Sequence, residues 1–140
     1  ILKNNIKVWL NQYRMLNDTL DILDPRIINI KISFVAVVDY SQEKLEALNI
    51  AITEIQSMFR EQLDIGQPIY ITKIYDVLNN LDEIVDVTHV KIENATGSNY
   101  SDETINLSQY MSADGRILYA PENVIYELKY PNLDIKGTIK

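Results

Sequence analysis

The sequence predicts an α+β fold: a mixed sheet covered by one long amphipathic helix and a short second helix, with a C-terminal β-rich extension. Three observations carry that expectation. The run Ile27–Asp39 alternates with a period of two, a helix-spaced run over Gln42–Leu63 follows it directly, and the composition changes after Ile92. The organisation expected is one α+β domain over residues 1–92, followed by a long loop and C-terminal strands over 93–140 packed on the same domain.

Residues 2–14 place Leu2, Ile6, Trp9, Leu10 and Tyr13 at helical spacing among Lys3, Asn4, Lys7, Asn11 and Gln12, which reads as an amphipathic helix. Asn17 and Asp18 suit its end. Leu20 and Ile22 alternate with Thr19, Asp21 and Leu23, which suggests a short strand, and Asp24-Pro25 supplies a turn. From Ile28 every even position to Val38 is apolar, so one face of this strand is buried throughout. The odd positions start wet at Asn29, Lys31 and Ser33 and turn apolar at Val35 and Val37, which predicts a cover over the last two.

Ser41 is a suitable N-cap, with Gln42 and Glu43 favouring the helix start. Leu45, Leu48, Ile52, Ile55, Phe59 and Leu63 then form a stripe, widened by Ala51 and Met58. A helix laid on a sheet fits this stripe better than a coiled-coil seam, because it lasts only about three heptads. Gly66 and Pro68 bracket the next turn, and Thr72 can cap a short helix in which Ile74, Tyr75 and Leu78 share a face. The strand Glu83–Ile92 changes phase between Val85/Val87 and Val90/Ile92, so a bulge or a change of neighbour falls around Thr88-His89.

Residues 93–115 are rich in Asn, Ser and Thr, and a loop of this length in a compact domain signals function, a partner or disorder. Leu107, Tyr110 and Met111 can pin it down. Strands follow at Arg116–Ala120 and Val124–Tyr130, and a last extended piece runs over Leu133–Ile139.

Composition removes several function classes. A net charge of −7 with scattered Lys and Arg argues against nucleic acid, which demands a concentrated basic surface. Without cysteine there is no disulfide framework or thiolate metal site. No apolar run reaches the ~20 residues of a membrane span, and no membrane insertion is expected. The chain opens Ile1-Leu2-Lys3 without an initiator Met and reads as a piece of a longer polypeptide.

Catalytic chemistry finds little to stand on. The single histidine, His89, lies in a strand without the Cys, second His or nucleophile elbow that zinc or triad chemistry requires. Asp82, Glu83 and Asp86 cluster without EF-hand spacing, and a solvated turn accounts for them. Four glycines, none in a Gly-rich loop, leave no phosphate-binding fingerprint. No catalytic residue, metal or cofactor is expected. The sequons at Asn94, Asn99 and Asn106 arise readily by chance in an Asn/Ser/Thr-rich loop. Tyrosines concentrate in the last third, where they serve either a sheet face or an interface. The candidate interface residues are Tyr110, Met111, Val124, Tyr126, Leu128 and Tyr130.

The segment Leu10-Asn11-Gln12-Tyr13-Arg14-Met15-Leu16, the strand Ile28–Val38, the long helix, Gly66-Gln67-Pro68-Ile69-Tyr70 and Val85-Asp86-Val87 occur in an order that resembles the baseplate J-like wedge proteins of contractile-tailed bacteriophages. The likeness covers roughly residues 5–92. Ala120–Glu127 and Tyr130-Pro131 look similar to wedge subunits of large myoviruses. The resemblance implies the C-terminal portion of a non-catalytic virion component. It would reside in the tail baseplate after assembly in the host cytoplasm. It would pair with itself as a homodimer or ring and contact other baseplate wedge proteins. A different class, a receptor- or glycan-binding module at a virion or cell surface, would use the 93–115 loop as its binding element.

Overall fold

The structure, a computed structural model, describes residues 1–15 and 19–140. The helix end expected at Asn17-Asp18 lies outside the described residues. Helix α1 (Leu2–Asn11) is followed by β1 (Arg26–Val38); residues 19–25 before β1 are irregular, and the strand expected around Leu20 and Ile22 does not form there. Then follow α2 (Lys44–Met58), β2 (Ile69–Tyr70), α3 (Ile71–Asn79) and β3 (Ile84–Asn94). A single helical turn α4 (Leu107–Tyr110), β4 (Ile117–Leu118), β5 (Val124–Glu127), a second turn α5 (Pro131–Asp134) and β6 (Ile135–Ile139) complete the chain. The class is α+β with a mixed sheet.

β1 is the axis of a four-stranded sheet. β3 runs antiparallel along one edge, from Ile30 opposite Asn94 to Val38 opposite Ile84. The other edge is shared by two parallel pieces in succession: β5 covers Arg26–Asn29 and β6 covers Ile32–Ala36. Where β1 advances from Asn29 to Ile32, its partner advances from Glu127 to Ile135. β5 and β6 therefore act as one edge strand whose surplus residues, α5 among them, loop out. The C-terminal third completes the sheet rather than extending it.

Period-two burial holds along β1: Ile28, Ile30, Ile32, Phe34 and Ala36 are enclosed on one face. The phase change in β3 is a bulge. Val35 faces His89 while Ala36 faces Val87, so Thr88 is the extra residue, and its hydroxyl donates to Val35 O at 3.2 Å. A second shift at Val85 leaves Ile84, Val87, Val90 and Ile92 all pointing inward.

α2 and α3 cover that inner face. α3 buries Ile71, Ile74 and Leu78, and the Tyr75 hydroxyl accepts from Val90 N at 3.0 Å. α2 is shorter than the pattern suggests. It starts at Lys44 after Glu43, with no side-chain cap from Ser41. Its buried line is Ala47, Ala51 and Ile55, with Leu48, Ile52 and Phe59 partly covered and Leu45 63% exposed. The stripe is turned relative to the sequence expectation because alanines let the helix approach the sheet closely. At Gly137 on β6 a Cβ would fall inside the van der Waals envelopes of Leu48 Cδ1 and Phe34 Cζ. Any larger residue there would require the Leu48 and Phe34 side chains to shift.

The opposite face of the sheet carries Lys31, Ser33, His89, Lys91, Lys136 and Thr138 toward solvent, with Lys31 and Lys91 both paired to Glu93. Val35 and Val37 are half-buried there, flanked by His89, Thr138 and Asp86 across the strands. Asn29, expected to be wet, is only 2% exposed.

Candidate interaction surface

Burying Asn29 demands partners for its amide, and the long loop supplies them. Its Oδ1 accepts from Ser101 N at 2.7 Å, its Nδ2 donates to Glu127 Oε2 at 3.1 Å, and its backbone O accepts from Ala95 N at 2.8 Å. A second anchor is Asp134, 4% exposed, at the end of the α5 turn that Pro131 begins. Asp134 Oδ1 accepts from the Tyr100 hydroxyl at 2.5 Å, and Oδ2 accepts from Tyr130 N at 2.9 Å. The Tyr100 ring meets Tyr130 edge-on at 5.5 Å, and Arg26 pairs with Glu103. The 95–103 stretch is thus a strap fastened across the β1–β5 edge by two enclosed polar side chains. The same bond to Asp134 pushes the Tyr100 phenol up to about 12, with burial and the Asp134 charge adding to it. Two sequon asparagines are structural: Asn94 Nδ2 donates to Ile105 O, and Asn106 Oδ1 accepts from Ser108 N to start α4.

The six candidate interface residues separate into groups. Val124 and Tyr126 are fully enclosed by this chain's own core. The Tyr126 hydroxyl donates to Tyr119 O at 2.7 Å, and burial, with Tyr110 nearby, raises its phenol to about 12. These two residues belong to the core, contrary to the sequence expectation, because β5 pairs with β1 and has both faces covered. Tyr110 and Met111 are half-buried beside β4, where Met111 bridges to Leu118 and Tyr119 N donates to Tyr110 O. Leu128 is partly buried between two open clefts of about 220 and 470 Å³ that share Phe59 and Arg60. Tyr130 alone keeps a third of its surface open, at 37%.

His89 is exposed on the open sheet face, and Asp86 uses Oδ1 to accept from Val87 N. Asp82, Glu83 and Asp86 do not converge: among the described residues no three His, Asp or Glu side chains form a cation site. Among the same residues no helix is long and apolar enough to cross a membrane.

The most exposed apolar surface lies at the other end of the chain. No residue of α1 is buried. Leu2, Ile6, Trp9 and Tyr13 are 72%, 40%, 57% and 72% exposed, and Val8, off that line, is 65% exposed. Lys3 pairs with Asp24, and Lys7 with Asp21 at 3.6 Å, so α1 is tied to the irregular stretch before β1 by exposed ion pairs. The sequence had shown this stripe as clearly as any other. What it could not show is that the sheet fills its inner face with α2 and α3 and leaves α1 outside.

Fold and surface together define an α+β domain with a self-sufficient core, a strapped loop and one apolar helix outside. No protein-family model matches the chain, and no curated protein matches it.

Proposed function

We propose that this chain is a structural subunit of a phage tail baseplate wedge, mediating self-association and contacts with other wedge proteins during baseplate assembly and tail contraction. The observation that supports this reading best is α1. Its apolar stripe is left uncovered by a domain whose core is complete without it. Exposed apolar surface of this kind marks places where a protein meets another surface, which fits an assembly part.

The motifs that resemble the baseplate J-like family also fall where the fold turns. Gly66 sits at φ +73°, a conformation favouring glycine, and its amide donates to Val124 O at 2.8 Å. Ile69 pairs with Leu118, and Val85 and Val87 flank the bulged end of β3. The reading includes the finer architecture expected of the resemblance, with a longer and a shorter helix over the mixed sheet and a β-rich C-terminal part. It requires no catalytic group and no cofactor, and it locates the chain in the virion.

Immunogold electron microscopy with antibody raised against this chain tests the reading on purified contractile-tailed particles from the source. Label at the baseplate end, in extended and contracted tails alike, is expected. Label at fibre tips would favour a receptor-binding module, and particles without the chain would end the proposal.

A further inference from the structure

We propose that the outer edge of β6 takes an extended segment of a different protein as an added strand, one that alternates apolar with acidic side chains. The register of β6 fixes which main-chain groups are free. Lys140 N donates to Ala36 O at 2.9 Å, and Val38 N donates to Lys140 O at 3.2 Å. Along a strand, residues that bond one neighbour alternate with residues that face the other way. Lys136, Thr138 and Lys140 therefore use their main-chain groups on β1, while Gly137 and Ile139 turn theirs outward. Among the described residues no strand lies beyond them, and the outward groups of Gly137 and Ile139 have no hydrogen-bond partner.

The opposite edge of the sheet is blunted. Val90 N of β3 donates to the Tyr75 hydroxyl, Asn94 Nδ2 ties the end of that strand to Ile105 O, and two register shifts break its regularity. Folds ordinarily disarm a free edge by such means. The β6 edge, with an unbroken register, keeps its template.

Both flanks of this edge suit one kind of strand. On the inner side α2 overhangs it. Leu48 lies against Gly137, Gln56 Nε2 donates to Asn132 Oδ1 of α5 at 2.8 Å, and Leu45 and Ile52 share that flank of the helix. The buried line of α2 is Ala47, Ala51 and Ile55, so the larger side chains stand beside the sheet edge, and Leu45 remains 63% exposed. The inward side chains of an added strand would rest on Leu45, Leu48 and Ile52.

On the outer side Lys136, Thr138 and Lys140 are exposed. Among the described residues neither lysine has an ion pair. Outward side chains of the added strand meet these ammonium groups, which select carboxylates. The same lysines disfavour a second copy, because two paired β6 edges would gather both lysines of each copy on one face. Main-chain bonds then supply the affinity, and the apolar shelf and the lysines supply the choice of partner.

This inference stands apart from the assembly reading, which rests on α1; baseplate label bears on that reading alone. The test is a nuclear magnetic resonance titration of the whole chain, with amide exchange, using a blocked heptapeptide that alternates valine and aspartate. Its controls are a valine/lysine peptide and two N-methylated forms, methylated at alternate residues in either phase. The valine/aspartate peptide should bind with Kd below about 1 mM, shift the Gly137 and Ile139 amides and slow their exchange. Methylation in the phase that faces β6 should weaken binding at least tenfold, and methylation in the other phase should leave it unchanged. Lys136→Glu and Leu45→Glu should each weaken it at least tenfold. Both positions are exposed and Leu45 lies in the first turn of α2, where an acid suits the dipole, so the fold is retained, with circular dichroism as the check. No binding at about 1 mM, equal binding of the lysine peptide, equal effects of the two methylation phases, or protection at β3 in place of β6 each overturns the proposal.

Discussion

An asparagine inside an isoleucine-rich strand is stable only while its amide is occupied, and Asn29 fastens the 95–103 strap by Ser101 N and Glu127. Asn29→Ala strands the Ser101 amide and should lower stability by about 1–3 kcal/mol, read from the shift in a urea unfolding curve at constant slope. The strap also predicts an alkaline transition. The Tyr100 and Tyr126 phenols are raised from their ordinary 10 to about 12, so the fold holds their protonated forms. Their contribution is complete below pH 10 and is lost as the pH rises through about 12. Stability should be flat across neutrality in this respect and fall between those values. Tyr100→Phe should shrink the fall while leaving the Tyr126 part, and phenolate absorbance in the same titration should show two late rings. Neither anchor was legible in the sequence. The parity of β1 places Asn29 on the wetter face, and nothing local announces a loop seventy residues later that covers it. Asp134 read as part of a strand, although Pro131-Asn132 carries the signal for a helical start.

Helices and strands were legible where their patterns are long. β1 follows from period two, and the bulge at Thr88 from the phase change at Val85/Val87 and Val90/Ile92. The α2 stripe is legible through its large side chains and Ala51, but Ala47, which also makes the close contact, falls outside that pattern. Hydrophobic patterning gives small residues little weight, and close packing selects them. The same packing sets the demand at Gly137, whose missing Cβ leaves room for Leu48 and Phe34. Gly137→Ala should therefore cost about 1–3 kcal/mol by overpacking. Leu48→Ala in that background should recover part of the loss, since touching residues couple by ~0.5–3 kcal/mol. A double-mutant cycle in denaturant measures the coupling; strict additivity would mean that the helix sits farther from β6. The strand expected around Leu20 and Ile22 is absent: residues 19–25 pair with no strand, although the outer edges of β3 and of β5 and β6 have no strand beside them.

At the scale of the molecule, residues on both sides of residue 92 share one sheet and one core. β5 and β6 supply one whole edge of β1, with Tyr126 and Ile135 in the same core as Ile28 and Ile32. The C-terminal third could not be recognised as part of this sheet from its sequence, because its edge strand is cut in two by α5 and each piece is only four or five residues long. Residues 26–140 should unfold as one cooperative unit, with α1 outside it. Native-state hydrogen exchange on dilute and concentrated samples tests this division most directly. The account predicts that β5 and β6 amides exchange with the same opening free energy as β1 and β3. It also predicts that α1 amides exchange fast when dilute and slow on concentration. β5 and β6 opening well before β1, or α1 protected equally at every concentration, would contradict it.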